Sequence, residues 1–485
     1  MFEEKLNKAP LALTFRDVIL LPGYARVEPH EVVLKTKVTK NYELNIPLVS
    51  SPMDTVTEAD MAIALARLGA LGVIHRNCSI EEQVELVKRV KEADDFVDHD
   101  IRLTPSSRVE DAIRMMEKRN VSLIPVMDDE GNYIGIIHKV HAYLAPKEAP
   151  VINYTTKFPF ATKDKSIEEI LNIMKDLMVS ELPVVHEGKL LGLITVRSLS
   201  HRRVFLDASR GKDGRLLCAA AISPFDRERA LKLDKFVDIL VMDVAHFHNE
   251  NCIAAAKRLE KEVSADIVIG NIGTKEAALD ILSRLEKVDG FRVGIGSGSI
   301  CTTGEVTGAL APTLFAVAQV ADATHEMKCE IPIIADGGIR SAADAAKAIA
   351  VGASAVMTGY LLAGCDESPG PMVEFRGRKY KYYRGMASHA AKRRRFAIDR
   401  YSRVIKEIEE GIEALVPYRG PVERVVIEFA NALKAAFGYA GARNVKEMWE
   451  KARLALITPL GAKEAGPHSI IPMRLSDIFK DSSTL

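Results

Sequence analysis

Two stretches of the chain, residues 45–92 and 216–365, alternate short apolar runs with segments whose apolar residues recur every three or four positions. In the first stretch, 45–51 has a buried-strand pattern that opens into Pro52-Met53-Asp54-Thr55. Residues 58–68 have helical spacing, 69–74 reads as a second strand, and 79–92 as a second amphipathic helix. In the second stretch, strand-like runs at 217–221, 239–242, 267–269, 293–295, 331–335 and 355–357 are separated by helical patterns. The alternation predicts parallel α/β architecture, and this many strands closes a (β/α)8 TIM barrel. In such a barrel the reactive side chains stand just after the strand ends. An earlier apolar run, 11–21, is stopped by Pro22.

The rhythm breaks near Asp95. Residues 101–145 and 157–203 can be laid on each other as two copies of roughly 50 residues. Each has a helical stretch (108–119; 166–179) and a strand run (122–126; 181–185). A turn follows, at Asp129-Glu130-Gly131 or Glu187-Gly188, and then a second strand run (134–137; 190–195). The order and spacing resemble a pair of CBS modules, an α+β regulatory insert, here expected to hang from one βα loop. Such modules usually close with Thr-x-x-Asp. These copies read Thr195-Val-Arg-Ser198 and His138-Lys-Val-His141, so no ligand is assigned to them. The expected organisation is 1–95 for the first part of the barrel and 96–203 for the tandem modules. Residues 204–485 then supply the rest of the barrel, with a flap and a C-terminal segment.

Composition narrows the class. With 485 residues, 47% of them apolar, the chain can bury a sizeable core. Lys+Arg and Asp+Glu both number 66, a balance that argues against a nucleic-acid or acidic-membrane partner. The short basic run Lys392-Arg393-Arg394-Arg395 is read as a solvated face or a screen for a cofactor phosphate. The six cysteines are scattered with no C-x-x-C pair, which disfavours a disulfide framework or zinc ribbon. The N-terminus is charged, and no apolar run approaches the roughly 18 residues of a membrane span. A soluble cytoplasmic protein is expected.

The chemistry concentrates after the run at 293–295. Gly294-Ile-Gly296-Ser-Gly298-Ser299-Ile-Cys301-Thr-Thr303 sets three glycines in five residues before a cysteine flanked by hydroxyls. Such a loop folds tightly and its amide dipoles favour a thiolate, so Cys301 is a candidate nucleophile. The loop alone fits equally a glycine turn before a small buried cysteine. Asp336-Gly337-Gly338 and Gly359 follow two late strands, where paired glycine turns make a phosphate cradle. The Asp336 carboxylate, ill suited to phosphate, could accept from the two hydroxyls of a ribose. Together these point to a nucleotide monophosphate across the barrel mouth beside Cys301. His246 and His248, near Asp243, have no third ligand at recognisable spacing and are read as cofactor contact or packing.

Ser50-Ser-Pro-Met-Asp-Thr-Val-Thr-Glu58, His75-Arg-Asn77, the 294–303 loop, Ala335-Asp-Gly-Gly338, Leu362-Ala-Gly364, Glu367-Ser-Pro-Gly370 and Tyr383-Arg-Gly-Met386 resemble the IMP dehydrogenase/GMP reductase family over nearly the whole chain. The resemblance implies that Cys301 attacks C2 of a purine nucleotide. It implies that Ser51, Met53, Ser299, Asp336, Gly338, Gly359, Tyr383 and Met386 hold that nucleotide. Asp243, Val244, Asn271 and Gly294 would line the nicotinamide cofactor, and the carbonyls of Gly296, Gly298 and Cys301 would serve a monovalent cation, K+. A homotetramer or octamer is the assembly implied. Two positions depart from the family: Gly304 replaces a longer polar residue, and Tyr360 stands where a small phosphate-binding residue is usual.

The family has two branches. The reductases manage the leaving amine with a Thr–Glu pair, matching Thr303 and Glu410; the dehydrogenases activate water with an Arg-Tyr pair on a mobile flap, for which Arg400 and Tyr401 are candidates. Arg400-Tyr401 suits a helix surface as well, Asp399 and Arg403 being four apart. Three features resemble the reductases. Val244 in Asp243-Val244-Ala245 replaces a usual hydroxyl, Met386-Ala387-Ser388 replaces Met-Gly-Ser, and 396–415 is rich in helix formers where a dehydrogenase flap is loop-like. The expectation is therefore an NADPH-dependent GMP reductase, releasing ammonia and giving IMP through a Cys301 thioimidate. The alternative is an NAD-dependent IMP dehydrogenase that makes XMP.

Overall fold

A computed structural model describes residues 2–93, 97–162, 165, 167–196, 198–199, 207–393 and 410–466. Its centre is a ring of parallel strands: β1 (Leu48–Ser50), β2 (Val73–Ile74), β3 (Ala219–Ile222), β4 (Ile239–Met242), β5 (Asp266–Ile272), β6 (Gly290–Val293), β7 (Ile333–Asp336) and β8 (Ala355–Thr358). Neighbours in sequence pair, β8 pairs with β1, and a parallel bridge from Val49 to Leu71 closes the ring just ahead of β2. This is a (β/α)8 barrel. Alternate residues form its interior: Ala219 and Ala221, Ile239 and Val241, Ala355 and Met357 join Val49, Val268 and Ile334 in one buried cluster. The intervening residues, among them Ala220, Leu240 and Met242, are equally buried, because helices cover the other face. That double burial is why the strands read as unbroken apolar runs.

The strand starts are tied down by aspartates. Asp238 accepts the Cys218 amide at 2.9 Å and Asp289 the Ile267 amide at 2.8 Å. A hairpin, Thr36–Lys37 with Glu43–Leu44, contributes Val38 and Leu44 to the interior cluster, while Thr39 donates to Asp266 at 2.6 Å. The opposite end of the ring is thereby left for the site.

Three expectations need correction. The run at 293–295 is not a strand of its own: β6 ends at Val293, because Gly294 turns to φ +131°. The helix-former composition of 396–415 does not carry to its end. Glu413–Pro417 is a strand, antiparallel to Arg378–Arg384, so tertiary pairing overrides local preference there. Residues 394–409 lie outside the described residues. Finally, the insert does not hang from a βα loop. The chain divides into Met1–Lys91 with Asp207–Leu485, and Glu92–Leu206. The second unit therefore begins at the end of helix Ile80–Glu92 and leads to β3, which is an αβ connection.

Within that unit, helix Val109–Arg119 accompanies the hairpin Leu123–Met127/Tyr133–His138, and helix Ile167–Asp176 accompanies Glu181–His186/Lys189–Thr195. The segments ahead of the two copies are exchanged. Val97–Asp98 pairs with the second hairpin, and Thr156 with Ile136 of the first. Each copy keeps its own apolar cluster, around Val109, Ile124 and Ile137 in one and Ile170, Leu182 and Ile194 in the other. Among the described residues, no helix is long and apolar enough to cross a membrane.

Candidate active site

The loop after β6 lies hard against the loop after β7. A Cβ on Gly294 would come 2.1 Å from the Asp336 carbonyl oxygen, and one on Gly337 would come 2.6 Å from Ser297 Oγ. Only glycine permits this approach, and both residues also have positive φ. Thr313 Oγ1 stitches the two loops, donating to the Asp336 carbonyl at 2.8 Å and lying 2.6 Å from Ser297 Oγ.

Beyond Gly298 the chain folds back. The Cys301 amide donates to the Gly298 carbonyl at 3.0 Å, and Thr303 opens a short helix, Thr303–Thr307. A strip at 410–412 runs beside it: Thr302 N–H donates to the Glu410 carbonyl, and Ile412 N–H to that of Ile300, each at 3.1 Å. These contacts bring three side chains into line. Cys301 Sγ is 3.1 Å from Thr303 Oγ1, which donates to Glu410 Oε2 at 2.9 Å. Glu410 is buried. A proton leaving the sulfur therefore has a hydroxyl and then a carboxylate within hydrogen-bond reach.

A second network joins the ends of four strands. Asp336 Oδ2 accepts from Asn271 Nδ2 at 2.9 Å and from Arg292 Nε at 2.8 Å; Arg292 Nη1 donates to Asp243 Oδ1 at 2.7 Å. Asn271 Nδ2 also reaches the Gly294 carbonyl at 2.8 Å. Burial works against the charge of Arg292, but the Asp336 and Asp243 carboxylates outweigh it and hold the guanidinium above its ordinary pKa. Asp336 Oδ1 makes no hydrogen bond among the described residues and remains available to a ligand.

The third wall comes from the loop after β1 and the strand Arg378–Arg384. Arg384 grips Asp54 through Nε at 3.0 Å and through Nη2, and Asn77 Nδ2 adds a bond at 2.7 Å. Burial alone would raise the Asp54 pKa, yet the Arg384 and Asn77 hydrogen bonds bring it below the ordinary 3.8. The clamp sets Tyr383, whose hydroxyl is 3.8 Å from Met53 Sδ and whose pKa burial, then Asp336, pushes up. Asp54→Asn should cost about 1.5–3 kcal/mol of stability at neutral pH. A depressed carboxylate stabilises above its unfolded pKa and loses that contribution as pH falls through its folded value. The gap between wild type and variant in urea unfolding should accordingly close below pH 3.8; a gap independent of pH would refute the ion pair's role.

One cavity at this mouth collects nearly all the residues expected from the sequence. Ser51 and Met53 come from the β1 loop, Asp243 from the end of β4 and Asn271 from β5. Gly294, Gly296, Gly298, Ser299, Cys301 and Thr303 follow β6; Asp336 ends β7, Gly338 lies in the loop after it, and Gly359 follows β8. Tyr383, Met386 and Glu410 complete the lining. Val244 does not line it: the side chain is fully buried. A hidden valine cannot sort cofactors by contact, so it does not favour a reductase. Arg400 and Tyr401 lie outside the described residues. His248 Nε2 lies 3.1 Å from Asp280, and burial, then His248, lowers the pKa of His246. Of the carbonyls offered to a cation, that of Gly298 already accepts the Cys301 amide, which leaves it one lone pair. Sequence reasoning missed Arg292 and the Asp54–Arg384–Asn77 clamp. The signal for Arg292 was a charge inside an otherwise apolar strand.

The family model for the IMP dehydrogenase / GMP reductase domain matches residues 12–468. The inosine-5'-monophosphate dehydrogenase of Korarchaeum cryptofilum is 49% identical over 478 residues, covering 98% of this chain and 100% of its own. That of Methanocaldococcus jannaschii is 47% identical over 489 residues, covering 97% and 98%. A crystal structure of a cysteine-to-alanine form of GMP reductase from Trypanosoma brucei, in complex with guanosine 5'-monophosphate, is similar with a TM-score of 0.82. Its identity is 34%, covering 96% of this chain and 100% of that one. These comparisons overturn the expectation of a GMP reductase. Full-length relatives at 40–49% identity carry the dehydrogenase name, whereas the reductase stands at 34%. The features that favoured the reductase were a buried valine, one methyl group at Ala387, and a stretch that lies largely outside the described residues.

Proposed function

The chain belongs to the IMP dehydrogenase/GMP reductase family, and from that premise we propose that it is an IMP dehydrogenase, oxidising IMP to XMP with NAD. The observation that carries the reading is the near-complete alignment with dehydrogenases at up to 49% identity. The geometry fits either branch of the family: a thiol with a built-in proton path stands in a cavity that also presents Asp336.

On this reading Asp336 Oδ1 accepts from the ribose hydroxyls, while Ser51, Met53, Ser299, Tyr383 and Met386 confine the purine and Gly338 and Gly359 face the phosphate. Cys301 gives its proton to the Thr303–Glu410 relay and its sulfur bonds to C2. Bound NAD supplies the acceptor for the hydride that leaves C2. Asp243, Asn271 and Gly294 line that side of the cavity. Water then adds to the thioimidate, and loss of the thiolate gives XMP. The sum is IMP, NAD+ and water to XMP, NADH and a proton. We assign water activation to Arg400 and Tyr401 on the family resemblance, and read residues 96–203 as the CBS pair, a reading that the exchanged strand segments support. The Gly296, Gly298 and Cys301 carbonyls would brace the loop around a K+ ion.

Purified protein given IMP and NAD should form reduced dinucleotide and XMP in equal amounts, and faster than with NADP. Absence of turnover with either dinucleotide would refute the assignment.

A further inference from the structure

We propose that Arg76 is a positioning residue for Asp243 on the cofactor side of the catalytic cavity; this rests on the dehydrogenase reading of that cavity. Asp243 directly follows β4 and lines the cavity together with Asn271 and Arg292. Arg292 Nη1 holds its Oδ1 at 2.7 Å, but the same guanidinium also serves Asp336, whose Oδ2 accepts from Nε at 2.8 Å. One cation between two carboxylates leaves an excess negative charge at the barrel mouth, and in a desolvated setting that excess is costly unless a second cation stands near.

Arg76 supplies the second cation. It belongs to the loop after β2, and its side chain is buried, as is that of Asp243. Its Nη2 donates to the Asp243 backbone carbonyl at 3.0 Å, and its Nε lies 3.7 Å from Asp243 Oδ2. One planar guanidinium thus bears on Asp243 at main chain and carboxylate together, while the other carboxylate oxygen belongs to Arg292. Both partners are tied to the barrel. Asp243 N–H donates to the Ile222 carbonyl at 2.8 Å, Asn77 N–H to His75 Nδ1 at 3.1 Å, and Asn77 Nδ2 to Asp54 at 2.7 Å. Arg76 is not among the residues that line the cavity, so its effect on a ligand passes through Asp243. The two arginines divide the work. Arg292 couples Asp243 to Asp336 on the substrate side, and Arg76 sets Asp243 for the dinucleotide.

The test is equilibrium binding in the Cys301→Ala background, where IMP and NAD can be present together without turnover. Arg76→Met should weaken NAD binding to the IMP complex by about tenfold and change IMP affinity by no more than about threefold. Arg76→Lys keeps the charge but not the two-point grip, and should lose about threefold for NAD; if Arg76→Met does not fold, this variant carries the test. Asp243→Asn should weaken NAD as well, and adding Arg76→Met to it should cost less than about twofold more. Losses that multiply would show that Arg76 does not act through Asp243, and would overturn the proposal. So would an IMP loss as large as the NAD loss, or unchanged NAD affinity in the Arg76 variants. If NAD binds in this Arg76-dependent way but wild type does not oxidise IMP, the positioning role stands and the dehydrogenase reading falls. If NAD does not bind at all, both fall.

Discussion

Cys301→Ala should lower IMP oxidation by at least about 10⁴-fold while IMP binding changes by no more than about threefold. On the proposed mechanism the sulfur forms the bond that turns C2 into a hydride donor, and no neighbouring side chain can replace it: Thr303 Oγ1 is 3.1 Å from Sγ, but its proton is already directed at Glu410. The groups assigned to the nucleotide, Asp336 above all, are fixed by Asn271 and Arg292 rather than by Cys301. Losing one sulfur atom from a half-buried residue should leave them in place. Acid-quenched wild type should show a mass adduct of the purine nucleotide that the variant lacks. Turnover within tenfold of wild type would remove Cys301 from the mechanism.

What the sequence displayed of this site follows from how each part is encoded. The barrel was legible because strands buried on both faces are apolar throughout, and eight such runs stand out against amphipathic helices. The Cys301 loop was legible because Gly294 and Gly337 permit backbone approaches that no other residue allows, and so many glycines in a row are visible without coordinates. The relay was partly legible. Thr303 is two residues from Cys301, but Glu410 arrives over 107 positions through backbone bonds at 302 and 412 that no local pattern announces.

The choice of branch was misread for a related reason. Val244 looked like a contact because it follows Asp243 at a strand end, yet successive side chains at such a turn face opposite ways. Asp243 lines the cavity and Val244 is in the core. The clamp between Asp54 and Arg384 was hidden by sequence distance, since either charge alone reads as surface. The insert's repeat showed in its periodicity, but the exchange of Val97–Asp98 and Thr156 between copies depends on tertiary pairing alone.

Arg292→Met should destabilise the folded chain by about 3–5 kcal/mol and reduce activity in whatever fraction still folds. The guanidinium is buried and holds two carboxylates, Asp243 at 2.7 Å and Asp336 at 2.8 Å. Methionine fills much of the volume, so the cost is electrostatic: two acids remain in the barrel mouth without their cation. The deficit of Arg292→Met against wild type should therefore shrink as pH falls and the carboxylates are neutralised, in the same direction as that of Asp54→Asn. Adding Asp243→Asn to Arg292→Met removes one of the two orphaned charges and should restore part of the loss, whereas Asp243→Asn alone should destabilise. Additive effects of the two substitutions would show that Arg292 and Asp243 do not act as a pair. Activity separates the second carboxylate. On the proposed reading Asp336 needs Arg292 to present Oδ1 to the ribose, so the double variant should regain stability without regaining its affinity for IMP.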